Sequence, residues 1–323
     1  MITVLVTSIG STTAISAIKS LRKGKESYRI VGTDIYPSSE IPGTIFCDQV
    51  YQVPRYDSPD YISQLLDICK KEKVEFILPI LDQEVEMIAK EKELFLNEGI
   101  TACVSDYKTV QTCNDKLATF EYFNKRYIDT PRVYLPKEKQ MFFLRFPLFM
   151  KPRRGVSSKD CYVVNNQEEY EVLVQRIDEP IIQQQLSGKQ YVIDVVNDTQ
   201  SNNITTVVRH EISAKSGLGV KAVTVLNEQI RTYAVMIAEK IKIQGAANVE
   251  VFVDGDKISL IEINPRLSAG SIISTAAGIN IAELTIEAFS GKPHIQAPRT
   301  YKEGVYMTRY WEEVFYDNGK LMS

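Results

Sequence analysis

The residues of this chain best placed to do chemistry lie in one stretch, VEVFVDGDKISLIEINPR, ending at Arg266. It reads as two alternating strands, over 248–254 and 257–264, joined by an Asp254-Gly255-Asp256 turn. Side chains alternate faces along a strand, so Glu262 and Asn264 project together. Glu250 on the partner strand falls roughly opposite them, the register of the turn being open. Two carboxylates and an amide oxygen are hard ligands, suited to a Mg²⁺ that carries a nucleotide phosphate. Arg266 adds a planar, permanently charged fork for phosphate or carboxylate. The competing reading is a solvated hairpin face, the commoner fate of an isolated E-x-N. It loses ground because Ile261, Ile263 and Pro265 make the segment look buried, and buried acids need a partner or a metal.

A second set of groups precedes it. The apolar strand predicted over 146–151 ends in Lys151 and runs into Arg153-Arg-Gly-Val-Ser-Ser-Lys-Asp160, a small-residue loop dense in cations and hydroxyls. Such a loop suits a polyphosphate lid; the alternative, an ordinary solvated basic hairpin, is as good a reading of this loop alone. Thr112-Cys-Asn-Asp115 can cap a helix carrying Lys116 and reaching Phe123. A strand at 161–164, a helix at 167–177 and a strand at 181–185 complete a small α+β unit. Strands at 190–196, 204–213 and 220–225 and a helix at 227–243 then lead into the acidic hairpin, with a helical region from Ser268 to Phe289 and a closing strand within 306–314.

The first hundred residues alternate strand and helix. Strands at 2–7, 28–34, 74–80 and 100–104 are separated by helical patterns that start at Ala14, Tyr61 and Glu84. Short strand–helix alternation means a parallel sheet covered on both faces, with ligands gathering beyond the strands' carboxyl ends. By that rule the Ser8–Ser11 loop, Asp34 and the run Asp82-Gln83-Glu84 face one crevice. Dinucleotide binding is disfavoured, because Gly10 stands alone where G-x-G-x-x-G is needed, and no P-loop motif is present.

Composition sets outer limits. At 323 residues and a net charge of −3, the chain can hold two or three domains and has no global basic field for nucleic acid. Five cysteines without C-x-x-C spacing fit neither a disulfide framework nor a zinc site, and point to a reducing cytoplasm. His210 and His294 are the only histidines, too few for a histidine-based metal centre. A signal peptide and a membrane span are not expected.

Together these pieces form one order: N-D-K at 114–116, M-K-P-R-R-G-V-S-S from Met150, I-I-Q-Q-Q-L-S-G-K-Q-Y-V-I-D from Ile181, then V-E-V-F and I-E-I-N-P-R. The chain resembles the ATP-grasp superfamily, in the branch of carbamoyl-phosphate synthase and the amino-acid ligases. The resemblance implies an α/β protein: a Rossmann-like parallel-sheet pre-grasp domain at 1–106, a central region with the lid at 107–185, and the rest of a two-lobed α+β grasp at 186–323.

Carried over residue by residue, the resemblance makes ATP and Mg²⁺ the expected cofactors. It assigns Lys116 and Lys151 to the phosphates, with Arg154, Ser157 and Ser158 in the lid. Gln183, Gln184, Gln185 and Leu186 would read adenine and Gln190 the ribose. Glu250, Glu262 and Asn264 would hold the metal. Arg266 would stabilise the transferring phosphoryl group, with Arg209 and Lys221 near the phosphate or acceptor. The lid has Ser157 and Asp160 where relatives usually carry extra glycines, and Gln183 and Gln190 stand where acids are common. The implied activity is carboxylate–amine ligation. The alternatives are a carbamoyl-phosphate-synthase-like reaction on bicarbonate and a non-catalytic nucleotide-binding module. Expected partners are small carboxylates and amines, amino acids among them, with homodimerisation left open.

Overall fold

The structure is a computed structural model that describes residues 1–128, 130–136, 145–155, 158–291 and 300–322. Ser157 and His294 lie outside the described residues. The chain begins β1 (Ile2–Val6), α1 (Thr12–Leu21), β2 (Tyr28–Asp34), β3 (Gln49–Gln52), α2 (Tyr61–Glu72), β4 (Phe76–Leu78), α3 (Asp82–Lys90), α4 (Lys92–Asn97) and β5 (Thr101–Ala102). The strands form a parallel sheet in the order β3-β2-β1-β4-β5. Leu5 and Val31 face α2 and α3, whereas Val4 and Val6 face α1, so each β-branched run is buried on both sides. The helix expected from Glu84 is two helices, parted at Glu91.

Helices α5 (Tyr107–Asn114) and α6 (Lys116–Asn124) follow, and Asp115 caps α6 by accepting from the Ala118 N–H. Strands β6 (Val133–Tyr134), β7 (Leu148–Pro152), β8 (Tyr162–Val164), helix α7 (Gln167–Arg176) and β9 (Pro180–Gln184) build a small antiparallel sheet in the order β6-β9-β7-β8. Leu148, Met150 and Ile182 pack beneath it. Alternation therefore sends Phe149, Lys151 and Gln183 to its other face.

The larger sheet is antiparallel, with β10 (Lys189–Asn197), β11 (Asn203–Lys215), β12 (Leu218–Thr224), β13 (Gly245–Asp254), β14 (Lys257–Asn264) and β15 (Tyr306–Thr308) in the order β14-β13-β10-β11-β12-β15. Helix α8 (Glu228–Lys240) covers one face through Ile230, Ala234 and Ile237 against Ile193, Val195, Val208 and Val249. The other face is closed at one end by α9 (Ser271–Ala276) and α10 (Ile281–Phe289), which also pack on α1. One apolar cluster thus runs from Val4 and Ile18 through Leu284 to Val196 and Val207, fixing the first sheet against the third. The open end of that face holds the site. Among the described residues no helix is long and apolar enough to cross a membrane.

Candidate active site

The hairpin β13–β14 carries the acids, and a β-bulge decides where they point. Asp254 pairs with Lys257 and Val251 with Leu260, but Glu250 pairs with Glu262, leaving Ile261 as the extra residue. Without the bulge Glu250 would oppose Ile261. With it, Glu250 and Glu262 stand side by side and Asn248 faces Asn264, all on the open face. The sequence carries a trace of this: apolar residues sit at Ile258 and Leu260, then slip phase to Ile261 and Ile263.

Two facing carboxylates at such spacing cannot both stay charged without a cation. Burial and the neighbouring Glu262 push the Glu250 carboxyl up to about 8, with Arg209 only partly offsetting them. Burial would raise Glu262 too, but Lys116 and Lys151, with the Asn264 amide, hold it below the usual carboxylate range. Asn264 donates to Asn248 Oδ1 at 3.0 Å and to Glu262 Oε1 at 3.2 Å, and Gln190 donates to Glu250 Oε2 at 3.2 Å. The donor set is all oxygen, and among the described residues no group of three His, Cys, Asp or Glu side chains gathers around a metal. A site with two carboxylates fits Mg²⁺, which completes its shell with water and phosphate.

Opposite the acids stand the lysines. Lys116 Nζ lies 3.5 Å from Glu262 Oε2 and donates to the Gly155 carbonyl at 3.0 Å. Lys151 is 3% exposed, its ammonium 5.6 Å from the Phe120 ring centroid and 6.0 Å from that of Phe149. Burial, helped by Lys116, lowers the Lys151 ammonium to about 8 against the pull of Glu262. Between lysines and acids runs a cleft of about 390 Å³, the size of a nucleotide site. Phe149, Leu186, Phe252 and Gln185 are also among its lining residues. Gln183, 3% exposed, also lines it, and its buried Oε1 has no hydrogen-bond partner among the described residues. An orphaned acceptor beside an apolar slot fits the exocyclic amine of a purine.

A bound phosphate would favour charged Lys151, so above pH of about 8 nucleotide binding should take up a proton and weaken with rising pH. Without nucleotide the sign is opposite for stability. The folded lysine titrates below its unfolded value of about 10.4, so its contribution to stability increases as pH rises between the two. Lys151→Met should abolish the proton uptake and lower nucleotide affinity at neutral pH by at least about tenfold, without lowering the apo thermal midpoint. Unchanged affinity with a lower midpoint would make the lysine structural. Calorimetry in buffers of different ionisation enthalpy reads the proton count.

Arg266 has a partner the sequence did not suggest. Its Nε and Nη2 donate to Asp82 Oδ1 and Oδ2 at 2.8 and 3.1 Å, and Nη1 donates to the Leu267 carbonyl at 3.1 Å. Asp82 opens α3 in the first sheet's crevice, so the N-terminal region aims the arginine of the hairpin. Of the other predicted crevice groups, Gln83 lines a smaller pocket beside the cleft, whereas two acids are taken up internally. Asp34 accepts from the Gly10 N–H, and buried Glu84 accepts from Thr7, Ser8 and Tyr61. Neither is free for a ribose.

The remaining predicted residues divide. Ser158, which lines the cleft, has left-handed backbone at φ 53°, and the backbone of Asp160 is left-handed too, at 56°; conformations that glycine adopts freely cost these residues on the order of 1 kcal/mol each. Arg154 stands at the cleft's side, 3.8 Å from Glu86 and 3.6 Å from Asp115, while Arg153 forks onto Asp115. Gln184 is turned away, donating to the Arg145 and Pro147 carbonyls. Arg209 is on the open face, 2% exposed, in an ion pair with Asp194 at 2.7 Å whose angle misses hydrogen-bond geometry, and its Nη2 donates to Ser268. A Cβ on Gly270 would fall 2.7 Å from its Nε, so a side chain there would collide with the guanidinium. Lys221 is not brought to the site. Arg209 pairs with Thr224, so Lys221, three residues away on β12, points to the opposite face and is exposed.

This fold and constellation are those of the ATP-grasp class, and the chain carries an ATP-grasp domain. A model of the ATP-grasp domain matches residues 113–270, behind a PylC-like N-terminal domain matched at 4–103. The chain is similar to the arginine-specific carbamoyl phosphate synthase large chain of Bacillus subtilis, 21% identical over 77% of this chain and 26% of that one. It is 25% identical to a D-alanine–D-alanine ligase of Fusobacterium nucleatum over 50% of this chain and 62% of that protein. The chain therefore spans about a quarter of the first relative's length and less than two thirds of the second's. Its fold matches the biotin carboxylase domain of Hydrogenobacter thermophilus 2-oxoglutarate carboxylase, in complex with MgADP, ADP and bicarbonate, with a TM-score of 0.76 at 17% identity over 94% of this chain and 73% of that one.

Proposed function

We propose that the protein is an ATP-dependent carboxylate–amine ligase using Mg-ATP, with domains at 1–106, 107–185 and 186–323. The observation that carries this reading is the bulged hairpin, which sets Glu250 and Glu262 together beside Asn264 and opposite Lys116 and Lys151. In this reading Gln183, Gln185 and Leu186 hold the purine, Gln190 the ribose side, and Lys116 and Lys151 the phosphates. Glu250, Glu262 and Asn264 would hold Mg²⁺, which screens the phosphate charge when bound. A substrate carboxylate oxygen attacks the γ-phosphorus, the bond to the β,γ-bridging oxygen breaks, and ADP leaves. An amine then attacks the acyl carbon, the carbon–oxygen bond to phosphate breaks, and the amine's proton passes to solvent. Phosphoryl transfer of this kind needs positioning and charge neutralisation rather than a protein nucleophile, and this cluster supplies both. The five free cysteines fit a reducing cytoplasm.

A second reading, a carbamoyl-phosphate-synthase-like reaction on bicarbonate, is favoured by the similarity to carbamoyl phosphate synthase over 77% of this chain. A screen for ADP release against pairs of small acids and amines, with bicarbonate plus ammonia among them, separates the two. The ligase reading expects ADP and amide in equal amounts with one carboxylate–amine pair; ADP only with bicarbonate would replace it by the second.

A further inference from the structure

Beside the phosphate end of the cleft opens a smaller pocket of about 150 Å³, which shares Lys116, Gly155 and Glu262 with it. Any group bound there would adjoin the metal ligands Glu262 and Asn264, where a γ-phosphate would lie. Its walls are polar and carry both signs. Arg154 and Lys116 offer cations. Asp82 and Glu86 lie one turn apart on α3, so they share a face of that helix. Asp82 is consumed by Arg266. Glu86 is not: its Oε2 accepts from Asn114 Nδ2 at 3.0 Å and lies 3.8 Å from half-exposed Arg154, a weak screened contact. No partner of its Oε1 is found among the described residues.

A cation pair beside the phosphate position, with a carboxylate across a short gap, matches a molecule carrying both a carboxylate and an ammonium. Among the described residues its apolar wall comes from Cys113 and Ile263, which leaves room for a short side chain. We propose that this side pocket binds the carboxylate substrate of the ligase as a short zwitterionic amino acid, with Glu86 selecting its ammonium group. The proposal rests on the ligase reading for the fate of the carboxylate, but recognition by Glu86 can be measured without turnover.

The experiment titrates the full chain, loaded with Mg²⁺ and a non-hydrolysable ATP analogue, with glycine, alanine, acetate, propionate, phenylalanine and bicarbonate by calorimetry. Glycine or alanine should bind at least about tenfold more tightly than acetate or propionate, the effect of one charge-assisted contact, and phenylalanine should bind poorly. Glu86→Gln should erase that difference while leaving analogue affinity unchanged; Glu86→Asp should restore part of it. Acetate binding as well as glycine, a preference that survives Glu86→Gln, bicarbonate alone binding, or no probe binding would each overturn the proposal. Failure of the ligase reading has another signature: Glu86-dependent amino-acid binding with no ADP formed from ATP under any acceptor pair.

Discussion

Arg266→Ala should slow ADP formation with the true substrates by a factor of about a hundred or more, while ATP affinity stays within a few-fold. The reason is where the charge grows. Lys116 and Lys151 would face phosphates that are charged before and after transfer, so they would contribute to binding. Arg266 stands at the end of β14, past Glu262 and Asn264, and would meet charge that increases only as the phosphoryl group moves. Its two-point grip on Asp82 fixes its plane, so Asp82→Asn should lower kcat with little change in KM for ATP. Arg266→Ala also leaves Asp82 unpaired at 13% side-chain exposure, which costs stability. Arg266→Lys guards against that ambiguity, since it keeps a charge for Asp82 but loses the fork. It should fold and remain slow. If Arg266→Lys reacts at the wild-type rate, the arginine's planar geometry is irrelevant and its assignment fails.

Glu262→Gln should remove the magnesium dependence of nucleotide binding. Wild-type protein is expected to bind ATP about ten- to a hundredfold more tightly with Mg²⁺ than in chelator, one or two charge-assisted contacts' worth. Glu262 would anchor that difference, because Lys116 and Lys151 hold its carboxyl below the usual carboxylate range, whereas burial and Glu262 itself raise that of Glu250. The substitution keeps the size and the hydrogen-bonding capacity, so a collapse of the hairpin is not expected. Equal ATP affinity with and without Mg²⁺ in the wild type would remove the metal assignment altogether.

Much of this site is local in sequence and was readable there. Glu262, Asn264 and Arg266 lie on one strand and just past its end, where alternation puts the first two on a common face, and Lys151 ends a strand whose apolar pattern is plain. What sequence could not supply is register and distance. The partner of Arg266 is 184 residues away, and nothing near Asp82 marks it as anything but one of several crevice acids. Lys221 looked like a site residue because it follows Arg209 on a paired strand; the face it takes depends on the Arg209–Thr224 register, which periodicity does not give. Helix α5 was missed because its buried face is built of Thr109, Val110 and Cys113, too polar to stand out. The run from Glu84 read as one helix because its apolar spacing crosses the break at Glu91 almost in phase.

The central claim is that the carboxylate itself takes the phosphoryl group, and isotope transfer tests it most directly. With the carboxylate substrate labelled with ¹⁸O on both oxygens, each turnover that makes an amide should place one labelled oxygen in the released phosphate, because the attacking oxygen stays with phosphorus when the acyl carbon–oxygen bond breaks. Mass spectrometry of the phosphate reads this in one sample. Phosphate carrying one ¹⁸O per amide formed is the predicted result. Unlabelled phosphate, with ADP still released, would mean that the phosphoryl group goes to water or to another acceptor, and the ligase mechanism built on this site would be wrong.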